Sequence, residues 1–310
     1  MKRIIIFFVT IILAVSLSTC AKPAATNETA KAQEVKPSAA EKIEVTDFKD
    51  RKITLDKIPQ RIVSLSPSNT EILFALGAGD RVVGVTSYDD YPEEVKNIEK
   101  VGTFEGPNME LIKKVQPDVV LAGYIQEETV KSLESMGIPV IVTEAESFDS
   151  IYDSIKLIGK VAGTDAKAEE TVQSMKSTIE AIASKTKDKK KPTVFYVVWT
   201  DPLTTAGAKT FINDVIKAAG GINVAEKVDG WAKYSAEELV KDNPDMLISA
   251  LHSTDKGMSK EDISNNPIFR KLESVRKGNV YIMSDDNIIS RPGPRIVQAV
   301  EEMSKVFFGE

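Results

Sequence analysis

Two nine-residue segments, far apart in the chain, share one pattern. Glu110-Leu-Ile-Lys-Lys-Val-Gln-Pro117-Asp118 and Glu237-Glu-Leu-Val-Lys-Asp-Asn-Pro244-Asp245 each place a glutamate seven residues before a Pro-Asp pair, and an apolar run follows both. Proline disfavours helical backbone in the residue before it, so each pair closes a helix and opens a strand. The same punctuation in two halves predicts two structurally equivalent units.

The surrounding pattern supports that. Ile43 to Val45 and Ile53 to Leu55 alternate around turn residues and read as a hairpin. Short β-branched runs at Arg61–Ser66, Val82–Val85, Val119–Leu121 and Val140–Val142 alternate with helical spacing near Thr70–Leu76, Met109–Val115 and Glu127–Met136. The second half predicts strands at Thr193–Val198, Met246–Ser249 and Val280–Met283, and helices near Phe211–Ala219, Ala236–Asp242 and Ile296–Phe307. Such alternation is the signature of parallel βαβ units with both sheet faces covered. Between the halves, Val172, Met175, Ile179 and Ile182 recur at helical spacing from Asp165 to about Lys187, a length of about 34 Å. The fold class is therefore α/β: two lobes, each with a short, mainly parallel sheet flanked by helices, joined by one long helix. A single stiff helix should leave a cleft whose opening changes little.

The 310 residues agree with two units, and the composition removes several function classes. With 46 acidic and 40 basic side chains and no Lys/Arg track, nucleic acid is not an expected partner. One cysteine, Cys20, and one histidine, His252, rule out intramolecular disulfides, Cys-rich zinc sites and His clusters by counting. Cys20 follows Lys2, Arg3 and an apolar run, Ile4–Val15, too short to span a bilayer and of the right length for an export signal. From Ala21 to about Glu41 the chain holds almost no large apolar residue and reads as a tether. The expected division is 1–19 signal peptide, 20–42 lipidated cysteine and tether, 43–164 first lobe, 165–190 connecting helix and 191–310 second lobe.

Three stretches carry a family resemblance: Arg61-Ile-Val-Ser-Leu-Ser-Pro-Ser-Asn-Thr-Glu71, Val83-Val-Gly-Val-Thr-Ser-Tyr88-Asp-Asp-Tyr91-Pro92 and Val101-Gly-Thr-Phe104-Glu-Gly-Pro-Asn-Met-Glu110. Trp231 with Glu237, and Ser284-Asp285 with Arg291-Pro-Gly-Pro-Arg295, extend it. Together with Leu17-Ser-Thr-Cys20, which resembles a lipobox, the chain resembles the class III periplasmic binding proteins of ABC importers, most closely their vitamin B12-binding branch, over about residues 43–309.

The resemblance implies a receptor for cobalamin or a related corrinoid, not an enzyme, with no catalytic cofactor. It is expected to be an exported monomer, lipid-anchored through Cys20 on the outer face of the membrane or in the periplasm, and partnered by a permease dimer with its ATPase subunits. It makes Tyr88 and Phe104 wall residues of the first lobe, Trp231 a wall of the second, and Asp285 and Arg291 polar ligand contacts, here with two more residues between them than the family pattern has. Glu110 and Glu237 become the carboxylates that dock on the permease. Independently, a wide, flat, amide-fringed ring calls for aromatic walls and a few polar groups. Tyr124, just past the strand Val119–Leu121, suits that role because ligands approach α/β sheets at their carboxyl ends. Trp199 is a further candidate wall. Tyr91 is more often packing than ligand. His252 could ligate cobalt or iron, but a lone histidine near a loop is more often polar surface. The alternatives are a haem or iron-siderophore receptor on the same fold and, more remotely, an exported enzyme using Asp89/Asp90 or Asp285/Asp286.

Overall fold

A computed structural model describes residues 42–103, 106–125, 127–250 and 259–309. Cys20, the signal segment, nearly all of the tether, Phe104 and His252 lie outside the described residues. The described residues belong to one compact unit.

In the first lobe, β1 (Ile43–Thr46) and β2 (Lys52–Leu55) form the expected antiparallel hairpin, with Ile43 opposite Leu55. Strands β3 (Ile62–Ser64), β4 (Val82–Thr86), β5 (Lys100–Thr103), β6 (Gly106–Pro107), β7 (Val119–Ala122) and β8 (Val140–Val142) build a sheet of order β6-β5-β4-β3-β7-β8, parallel except for β5 with β6. Helices α1 (Pro67–Ala75), α2 (Met109–Lys114), α3 (Glu127–Ser135) and α4 (Phe148–Ala162) connect and follow these strands. Strands β3, β7 and β8 are buried along their length, as a sheet covered on both faces requires.

The long helix α5 runs Asp165–Thr186. It starts at once after α4 because Gly163, at φ +65°, takes the left-handed conformation that ends α4. Its contact with α4 is close: a Cβ on Gly159 would lie 2.5 Å from the Ala168 methyl. The side chains of Val172, Met175 and Ile182 are buried in a core that also holds Ile62 and Leu121 of the first lobe and Ile216, Ile248 and Met303 of the second. The helix is therefore part of a continuous apolar core shared by both lobes.

The second lobe has two sheets. Strand β9 (Thr193–Val197) is followed by β10 (Trp199–Thr200), β11 (Leu203–Ala206), β12 (Ile222–Asn223), β13 (Trp231–Lys233), β14 (Met246–Ala250) and β15 (Val280–Met283). A parallel sheet has order β12-β9-β14-β15, and an antiparallel one has order β10-β11-β13. Helices α6 (Phe211–Ala218), α7 (Ala236–Asp242), α8 (Lys260–Asn265), α9 (Glu273–Arg276), α10 (Asn287–Ser290) and α11 (Ile296–Phe308) complete it. Among the described residues no helix is long and apolar enough to cross a membrane.

The duplicated Pro-Asp punctuation does the same work twice. Gln116 (φ +45°) and Asn243 (φ +41°) reverse the chain before Pro117 and Pro244. Asp118 then accepts from the backbone N–H of Gln60 and Arg61 at the entry of β3, and Asp245 accepts from that of Thr193 at the entry of β9. Each aspartate ties a central strand to the neighbour it introduces, with Ile62 opposite Val119 and Val194 opposite Met246.

Candidate ligand-binding site

The chain leaves β3 for β4 on one side and returns to β7 on the other. Where an α/β sheet reverses its strand order, the loops at the carboxyl ends of the strands splay apart and leave a crevice. The crevice here is lined by Ser66, Ser68 and Asn69 after β3, Gly123 and Tyr124 after β7, and Thr143, Glu144, Ala145 and Glu146 after β8, with Ser154 of α4. From the second lobe, Phe211, Trp231 and Pro292 face it.

Tyr124 and Trp231, both expected walls, stand in this cleft from opposite lobes. Tyr124 is 91% exposed and Trp231 47%. Both rings therefore keep apolar surface available on the cleft side of their lobes. Trp231 is held by the Phe211 ring, edge-on at 5.5 Å. Trp199 does not line the cleft, but its strand phase is now defined: it pairs with Thr204, which pairs with Lys233, so it shares a sheet face with Trp231. Its indole N–H donates to the Asp201 carbonyl at 2.8 Å. Tyr88, half exposed, lies outside the cleft lining, and its carbonyl oxygen accepts from Arg291 Nη2 at 3.1 Å.

Asp285 and Arg291 sit on a seam of charge between the lobes. At its centre is Glu71 of α1, buried to 3% exposure. Its Oε1 accepts from Arg291 Nη1 at 3.0 Å and Arg295 Nη2 at 2.9 Å, and its Oε2 from Arg295 Nε at 2.8 Å. Arg291 also reaches Asp90 at 2.6 Å, Arg295 reaches Asp285 at 3.3 Å, and the Arg295 guanidinium lies 3.9 Å over the Tyr91 ring. Burial opposes charge on both arginines, but bonds to Asp90 and Glu71 for Arg291, and to Glu71 for Arg295, outweigh it and hold their pKa values above the ordinary arginine range. Asp285 and Arg291 are thus placed in ion pairs, each with a different partner, and neither borders the cleft.

The carboxylates of the enzyme alternative do not converge on the cleft either. Burial raises the Asp89 pKa against the opposing bonds from Thr70 and Thr86, whereas Asp90 is engaged by Arg291. Among the described residues no cluster of His, Cys, Asp and Glu could hold a metal ion.

Glu110 and Glu237 occupy the same place in their helices. Each is the second helical residue, after the caps Asn108 and Ser235, and both are exposed. Among the described residues neither enters a salt bridge.

Several cleft residues carried no sequence signal of function. Phe211 opens a helix and reads as core; Thr143 and Ser154 are ordinary buried polar positions. The signal for Asn69 was the run Ser-Pro-Ser-Asn, which reads as capping chemistry and also places polar side chains at the carboxyl end of β3.

The periplasmic binding protein family model matches residues 62–287. An uncharacterized ABC transporter substrate-binding lipoprotein of Bacillus subtilis is 36% identical over 99% of this chain and 98% of its own length. A cobalamin-binding protein of Halobacterium salinarum is 32% identical over 84% of this chain and 73% of its own. A possible iron-binding periplasmic solute-binding protein of Staphylococcus epidermidis, solved by crystallography, is 36% identical, covers 81% of this chain and all of its own, and superposes with a TM-score of 0.71. Lobes, cleft and family match together identify the chain as a member of the periplasmic binding protein family.

Proposed function

We propose that the protein is the substrate-binding lipoprotein of an ABC importer, which captures cobalamin or a related corrinoid in the cleft between its lobes and delivers it to the permease. One observation carries the choice of ligand. Tyr124 and Trp231 face the cleft from opposite lobes, and the charged residues among its described lining are acidic, Glu144, which is paired with Lys49, and Glu146. Aromatic walls suit a broad conjugated ring, and acidic lining disfavours ligands with negative edges, such as haem propionates or an anionic iron chelate. A corrinoid, neutral at its amide fringe, meets both conditions. The cobalamin-binding relative supports this assignment; the possible iron-binding neighbour keeps haem and ferric chelates as the competing class. No chemistry on the ligand is part of the proposal.

Calorimetric titration of the mature protein with cyanocobalamin, cobinamide, haemin and a ferric siderophore tests it. The two corrinoids should bind at micromolar Kd or tighter, and Trp231→Ala should weaken them by about tenfold, the loss of one aromatic contact and its buried area. Tight haemin or siderophore binding without corrinoid binding would replace the ligand assignment.

A further inference from the structure

We propose that the floor of the cleft is a donor-lined subsite for the carbonyl oxygen of a carboxamide, with Asn69 its specificity-determining side chain and Ser154 a second donor. The subsite rests on the corrinoid assignment.

Helix α1 points its N-terminus at the cleft. Its N-cap residue Ser66 has the extended backbone of a cap, yet its hydroxyl bonds no N–H of the helix, and Pro67 supplies none. Ser66 and Ser68 line the cleft beside Asn69, so the amino end of the helix, with its partial positive charge, is presented to whatever occupies the site.

The second observation is independent of the helix. Asn69 is 2% exposed, and its Oδ1 accepts from the Thr143 hydroxyl at 2.6 Å. That separation is ordinary for O–H···O and short for N–H···O, which orients the amide. Its Nδ2, the group left over, has no hydrogen-bond partner among the described residues. Ser154, also 2% exposed, is in the same condition: a mid-helix serine usually returns its hydroxyl to a carbonyl one turn back, and this one has no partner among the described residues. Buried polar groups are nearly always satisfied; of the four unsatisfied ones among the described residues, the others being on Asp89 and Ser274, two belong to residues bordering this cleft and point to a ligand that satisfies them.

Charge selects between the acceptors that could do so. A carboxylate on the floor would face Glu144 and Glu146; Glu144 is balanced by Lys49 at 2.5 Å, whereas Glu146 enters no salt bridge among the described residues. A neutral amide carbonyl offers the same lone pairs without that repulsion.

The test compares dicyanocobinamide, whose periphery carries amides, with dicyanocobyrinic acid, whose periphery carries carboxylates, by calorimetry on the wild type, Asn69→Asp and Ser154→Ala. The wild type should bind cobinamide about tenfold or more tightly than cobyrinic acid. Asn69→Asp keeps the shape and the Thr143 bond but replaces a donor by an acceptor, and should lose about tenfold or more in cobinamide affinity; Ser154→Ala should lose about threefold. Thermal unfolding reports whether each variant is folded, and if Asn69→Asp is not, Ser154→Ala decides. Wild-type cobinamide affinity in the folded variants, or a preference for cobyrinic acid, overturns the subsite and leaves the corrinoid assignment standing. Failure of the wild type to bind either corrinoid overturns both.

Discussion

Glu71 shows how one side chain can define the relation between two lobes. It is a buried carboxylate from the first lobe, and both guanidinium groups that neutralise it come from the second, at Arg291 and Arg295. Removing one member of a buried ion pair is far costlier than the pair is worth, because the partners stay behind uncompensated. Glu71→Gln should therefore destabilise the protein by about 3–5 kcal/mol in denaturant titration; a loss below about 1 kcal/mol would mean that the seam is solvated. The seam also marks the limit of what residue patterns reveal. Asp285 and Arg291 could be picked out as a polar pair, but their actual partners are Arg295 for one and Glu71 and Asp90 for the other. The Glu71 and Asp90 contacts cross some two hundred positions of sequence, and no local spacing encodes them. Tyr124 was legible because it directly follows a strand, where topology alone predicts a crevice. Asn69 was hidden for the opposite reason: the chemistry that marks a helix start is the same chemistry that marks a polar subsite.

At the scale of elements, the helix-to-strand unit is the repeated object. Left-handed residue, proline, aspartate and strand recur in both lobes, and the aspartate anchors the central strand each time. Because Glu110 and Glu237 hold one register in that unit, the two lobes offer a carboxylate at equivalent places, which suits a two-fold partner and would add specificity and association rate. Glu110→Ala combined with Glu237→Ala should leave corrinoid affinity unchanged while uptake into cells falls sharply; normal uptake by the double variant would remove the docking role. Elements with strong periodicity were readable nearly to the residue, as at Val140–Val142, Ala236–Asp242 and Val280–Met283. Two were not read. Helix α4 is bounded by the Ser147–Ser150 capping box and Gly163, signals that are present in the sequence. The sheet β10-β11-β13 is built from strands of two to four residues, too short for a period to register, and β13 finds its partner β11 across an intervening helix rather than a tight turn.

For the whole molecule, the long helix is better described as a core element than as a strut. An exposed helix would hold the lobes apart by its stiffness alone, whereas Val172, Met175 and Ile182 bind them into one apolar core, and Glu71 fastens them again through Arg291 and Arg295. Two such attachments limit how far the lobes can part. The ligand must then enter a cleft already close to its final width, with Tyr124 on one side and Trp231 on the other. Trp231 supplies the direct test, because the chain contains only two tryptophans. In Trp199→Phe, Trp231 is the sole indole, and the near-ultraviolet absorption of a corrin bound against it drains its emission. Titration with cyanocobalamin should quench that fluorescence saturably, with a midpoint in the micromolar range or tighter. Emission unmoved by cyanocobalamin but quenched by haemin would contradict corrinoid capture in this cleft.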